Sequence, residues 1–245
     1  MLRNAGIARG ILVMCLFTAC APPPEPVAGE IRLQLGLQYL AIGEYTAAER
    51  NLRRAAKASP DDYRPVLGLA RLYQTQGHEA QAGVWYTRAE KLAPENGYVL
   101  NNYGAFLCAL RQYDKAQSRF LRAALATTGE GRTQTMLSAA WCFLDEGKRT
   151  PAAEKLTTVI STEPASAEKL LAEVRRRIAR RKLADAGFLL GIYHQWHSAS
   201  AESLWLQILY AARQNDASDV KRCGEQLARI FPLSIQYQRY LANEY

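Results

Sequence analysis

Histidine and cysteine are scarce in this 245-residue chain, with three and five copies respectively. His194 and His197 could reach one ion from a helix but have no third ligand beside them in sequence. Cys15, Cys20, Cys108, Cys142 and Cys223 show no Cys-x-x-Cys spacing. A metal centre is therefore not expected. There is no G-x-S-x-G nucleophile turn and no phosphate-binding glycine loop, so an enzyme, a cofactor and a small-molecule substrate are not expected either. The longest uninterrupted apolar run, 11–17, is too short for a permanent membrane span. The alternation of a half-buried strand is missing from residue 29 onward. A net charge of +8 would suit an anionic partner. No basic cluster interleaves with aromatics, however, and nucleic acid is not expected.

The N-terminus has the layout of an export signal. Arg3 and Arg9 precede the apolar run, and the small residues Thr18 and Ala19 follow it. The string Phe17-Thr18-Ala19-Cys20 resembles the lipobox of a bacterial lipoprotein signal, with Phe17 where leucine is usual. That resemblance implies cleavage after residue 19 and acylation of Cys20; an ordinary cleaved signal is the alternative. Pro22, Pro23, Pro24 and Pro26 then predict an extended tether over 20–28, because proline fixes φ and supplies no amide donor.

From residue 29 the chain repeats itself every 34 residues. Leu35, Gly36, Tyr39, Gly43, Ala48, Leu52, Ala55 and Pro60 are followed by Leu69, Ala70, Tyr73, Gly77, Ala82, Tyr86, Ala89 and Pro94. The next unit gives Tyr103, Gly104, Leu107, Arg111, Ala116, Phe120, Ala123 and Thr128. After a two-residue insertion near Gly129, a fourth gives Ala139, Ala140, Phe143, Gly147, Ala152, Leu156, Val159 and Pro164. Large apolar residues at the seventh and eleventh positions share a helix face, and the small eighth residue lets a second helix approach. In the first, second and fourth units glycine (Gly43, Gly77, Gly147) ends the first helix and proline (Pro60, Pro94, Pro164) follows the second; the third has Arg111 and Thr128 there.

The pattern resembles the tetratricopeptide repeat and predicts an all-α fold, a right-handed superhelix of about six repeats over 29–245. The units lie near 29–62, 63–96, 97–130, 133–166, 167–200 and 201–234. Their columns are degenerate after residue 166, so the register of the last two stays open. Cys108 and Cys142 fall in adjacent repeats. Buried free thiols are the expected state there, and a bridge between them is the alternative.

By the same resemblance, positions 2, 5, 9 and 12 of each first helix line a concave groove. This predicts a partner-binding surface with Leu33, Leu37, Leu67, Tyr98 and Trp141 as apolar contacts and Arg71 and Asn101 as polar ones. Asn101 and Asn102 could instead satisfy backbone groups between repeats. The basic run Arg175-Arg176-Arg177 and Arg180-Arg181-Lys182 reads as a solvated helix face, with anionic lipid or an acidic protein surface as the alternative.

The string Leu100-Asn101-Asn102-Tyr103-Gly104-Ala105-Phe106-Leu107 carries a narrower resemblance. Together with Leu33-x-Leu35-Gly36-Leu37-x-Tyr39-Leu40 and the lipoprotein signal, it is similar to the type IV pilus biogenesis and stability lipoproteins, the pilotin family. That resemblance implies a non-enzymatic, periplasm-facing protein held in the outer membrane by acyl chains on Cys20. Its implied partners are secretin subunits, whose outer-membrane localisation and multimer assembly it would promote. The alternative is a general envelope scaffold recruiting cell-wall hydrolases or outer-membrane assembly factors.

Overall fold

The computed structural model describes residues 25–245, all of whose regular structure is α-helical. The signal segment and Cys20 lie outside the described residues. The first helix, α1, spans Glu25–Ala41 and so begins inside the stretch expected to be tether. Pro26 is tolerated there because a helix's first turn has amide groups without intrahelical partners.

Six antiparallel pairs follow one another: α1 with α2 (Tyr45–Ala58), α3 (Tyr63–Thr75) with α4 (Glu79–Leu92), and α5 (Gly97–Ala109) with α6 (Tyr113–Leu125). They continue with α7 (Gly129–Glu146) and α8 (Arg149–Thr162), α9 (Ser166–Ala179) and α10 (Leu183–Trp196), then α11 (Ala201–Arg213) and α12 (Ala217–Ile230). A short α13, Ile235–Leu241, packs on α11 and α12 at the C-terminal end. The two-residue insertion makes no loop. It is absorbed into α7, which has 18 residues against 13 in α3 and α5.

Every pair turns its corner in the same way. A residue in the left-handed conformation follows each first helix: Gly43, Gly77, Arg111, Gly147, Arg181 and Asn215. Its amide donates three residues back and the next amide five back, as in Gly43 to Leu40 and Glu44 to Tyr39, or Arg181 to Ile178 and Lys182 to Arg177. This Schellman closure satisfies the terminal carbonyls. It also fixes the frame of the last two repeats, whose corners fall in step with the first four. Arg111, at φ 59°, holds a conformation that costs a side-chain-bearing residue about 1–2 kcal/mol. Arg111→Gly is expected to raise unfolding stability by about 1 kcal/mol, read from the urea midpoint; an unchanged midpoint would count against strain at this corner.

The core among the described residues falls into three clusters along the stack. Leu52, Leu69, Tyr86, Phe120, Leu156 and Leu190 are fully or almost fully buried. Close approach depends on small residues: a Cβ on Gly36 would lie 2.7 Å from Leu52, and one on Gly104 would lie 2.8 Å from Phe120. Cys108 and Cys142 form a disulfide between α5 and α7, with Cα atoms 5.8 Å apart. The expectation of two free thiols is thereby corrected: the long α7 carries Cys142 alongside α5, within bridging distance. Cys223 remains free and buried, and burial pushes its thiol up to about 11.

Candidate functional site

The first helices of successive pairs form the inner wall, and two of the recesses along it hold residues of the expected groove. The smaller, about 190 Å³, lies between α1, α3 and the start of α5. Leu33 and Leu67 are its floor at 2% and 3% exposure, Leu37 is half-buried, and Tyr98 stands out at 56%. Arg71 Nη1 donates to Tyr98 Oη at 3.4 Å across the mouth. Beside it, Arg64 pairs with Glu30 at 2.9 Å and Asp62 at 2.8 Å. The Asp62 hydrogen bond outweighs desolvation and, with the two carboxylate charges, holds the Arg64 guanidinium above its ordinary range. Asp62 also caps α3 by accepting from the Arg64 amide.

This placement revises the expected groove. Leu37, Arg71 and Tyr98 face a common opening. Leu33 and Leu67 can offer only a floor, because the hydrophobic effect has already drawn them into the core. Trp141 belongs to the other recess. Asn101 lines neither; its Oδ1 is buried and has no hydrogen-bond partner among the described residues, so it does not satisfy an inter-repeat backbone group. Asn102 does make a backbone bond, donating to the Tyr98 carbonyl at 2.8 Å. That bond lies within α5 and also crosses no repeat boundary.

The larger recess, about 600 Å³, opens where α7 and α9 stand apart, with α5 closing one side. Leu137, Trp141 and the disulfide form its floor, and Lys169, Arg176, Arg180 and Lys182 stand around it. Beneath them lies Arg177, 2% exposed and therefore no solvated cation. It donates to Glu173 at 2.6 Å, Asp145 at 2.7 Å, Asp185 at 2.9 Å and the Trp141 carbonyl at 3.3 Å. Desolvation opposes its charge. The Glu173 hydrogen bond and the charges of Asp145, Glu173 and Asp185 outweigh that and hold the guanidinium above its ordinary range.

The basic run thus contains a buried member that ties α7, α9 and α10 together, where a solvated face was expected. Glu173 four residues before Arg177 was the available signal, since carboxylate and guanidinium at that spacing face each other on a helix. The rest of the run is partly paired: Arg175 contacts Glu202, Arg176 contacts Glu173, and Lys182 reaches Asp145 at 2.6 Å.

A tetratricopeptide-repeat profile matches residues 29–72. Over 223 residues the chain is 29% identical to the type IV pilus assembly protein PilF of Pseudomonas aeruginosa, covering 89% of this chain and 86% of that one. The chain is a tetratricopeptide-repeat protein related to PilF. A solved structure of Pseudomonas aeruginosa PilF superposes on this tetratricopeptide-repeat chain with a TM-score of 0.61 at 27% identity, covering 89% of this chain and 99% of the other. PilW, described as a widely conserved type IV pilus biogenesis factor, superposes with a TM-score of 0.62, covering 87% and 98% of the two chains. At 23% identity that likeness concerns the fold. A Haemophilus influenzae protein without an assigned role is 31% identical over 110 residues, 45% of this chain and 62% of its own.

Proposed function

We propose that this protein is an outer-membrane lipoprotein that acts as pilotin for the type IV pilus secretin, promoting its outer-membrane localisation and multimer assembly without catalysing a reaction. The observation that carries this reading is the kinship with PilF along nearly the whole of both chains. A stack of helix pairs with recesses on its inner wall is suited to holding polypeptide. The recess around Leu37, Arg71 and Tyr98 would take an apolar secretin segment, with the Tyr98 ring as contact and Arg71 as donor. The Cys108–Cys142 disulfide supports an exported chain, because such bonds persist in oxidising compartments.

Acyl chains on Cys20 would supply the membrane affinity, and two or more hold a protein stably where one does not. Cys20→Ser is expected to move the protein out of the outer-membrane fraction and to reduce detergent-resistant secretin multimers there, as read by fractionation and immunoblotting. Normal multimers in this variant would overturn the anchoring mechanism. Copurification of cell-wall hydrolases without secretin, from detergent-solubilised membranes, would overturn the partner.

A further inference from the structure

We propose that the cleft between α7 and α9 binds an acidic segment of a partner polypeptide, as a site separate from the apolar recess of the first repeats. Charge and shape point to this occupant together. Five cationic side chains line the cleft, Lys169, Arg176, Arg177, Arg180 and Lys182, against two carboxylates, Asp145 and Glu173. Arg177 already engages both carboxylates from beneath. Arg176 and Lys182 share them, and Lys169 has only Glu130, at 3.1 Å, whose side chain is 84% exposed. Arg180 has no carboxylate within ion-pair distance among the described residues. With Asp185 holding Arg177 from outside the lining, five cations meet four carboxylates, Asp145, Glu173, Asp185 and Glu130, and the positive excess rests on Arg180.

The floor adds what a peptide needs beyond charge. Half-buried Trp141, over the buried Leu137, gives an apolar surface, and the exposed Gln134 and half-buried Ser138 stand beside it with groups able to bond a backbone. A recess of about 600 Å³ admits several residues. Its cations sit within a concavity, where an extended segment can enter and a flat headgroup layer cannot follow. Stacked bases would need a row of exposed aromatics, and Trp141 stands alone, since Phe120 is only 2% exposed. The assignment rests on the cleft alone and stands whether or not the partner is a secretin.

The probe is a fluorescein-labelled peptide, Glu-Leu-Glu-Glu-Phe-Glu-Leu-Glu, titrated with the protein and followed by anisotropy beside the same peptide with glutamine for every glutamate. The acidic peptide is expected to bind at least about tenfold more tightly at low salt and to lose that advantage as salt rises. Lys169→Glu combined with Arg180→Glu is expected to weaken it by about tenfold or more, with an unchanged melting curve because neither side chain is buried. Lys221→Glu, on the far repeat, is expected to leave affinity within about twofold. Equal affinity for the two peptides would overturn the proposal, as would equal losses in the cleft variant and Lys221→Glu. Vesicles containing phosphatidylglycerol that bind the protein in place of the peptide, and release it in the cleft variant, would assign the site to lipid and overturn it too.

Discussion

Replacing Arg177 by methionine is expected to cost about 3–5 kcal/mol of stability, the range for breaking a buried ion pair by removing one partner. The cost lies in what is left behind. Glu173 is 5% exposed, and it would lose a 2.6 Å hydrogen bond without gaining water, keeping only the exposed Arg176 as its partner. Asp145 and Asp185 would lose the charge that joins α7 to α10. The urea midpoint, followed by circular dichroism, measures the effect. The double variant Glu173→Leu with Arg177→Leu separates charge from packing. It removes the under-paired carboxylate and fills both places with aliphatic side chains, so it is expected to recover most of the loss. A single variant as stable as the parent, or a double variant worse than the single, would show that the buried network does not hold this interface.

Removing the disulfide, by Cys108→Ser with Cys142→Ser, is expected to cost about 3–4 kcal/mol. The bond closes a loop of 34 residues, and the entropy it denies the unfolded chain grows with the logarithm of that length. For a chain of this size the melting temperature should fall by about 10 °C, read by scanning calorimetry. Alkylation of the denatured protein should find two more thiols after reduction than before. The midpoint of the repeats is where the loss will be felt, because α7 is shared between two clusters. Ala139 and Cys142 pack with the first three repeats, while Leu137, Ala140 and Leu144 pack with the fourth and fifth. An unchanged melting temperature would mean that noncovalent packing alone fixes α5 against α7.

The same pair of residues, Glu173 and Arg177, explains how far the fold could be read from sequence. The seventh and eleventh positions of each repeat announce themselves when apolar, as Leu35 and Tyr39 or Leu69 and Tyr73 do. In the fifth repeat those seats hold Glu173 and Arg177, and in the sixth Gln207 and Ala211. The architecture persists because the polar occupants find partners: Arg177 its carboxylates, and Gln207 the Asp219 side chain at 2.7 Å. A hydropathy column cannot register a seat filled by an ion pair. The left-handed corner is likewise hidden at Arg111 and Arg181, where the hydrogen bonds remain and the glycine does not.

The site was legible to a lesser degree for a related reason. Counting positions along a helix says which face a residue lies on, and by that count Leu33, Leu67 and Tyr98 belong together, as they do around one recess. It does not say how deep each one sits, and burial depends on how closely α1, α3 and α5 approach. Nor does it reveal that α7 and α9 diverge, which puts Trp141 in a different opening.

The spacing of the bridged cysteines has a mechanical consequence. Neighbouring helix pairs hold one another only through adjacent contacts, so a chain drawn out from its two ends would give up its units in succession. With the Cys108–Cys142 bond closed, the residues between them lie off the load-bearing line and release no length. The oxidised protein would then reach roughly 110 Å less than the reduced one at full extension. The bond is a limit on stretch as well as a brace for the fold.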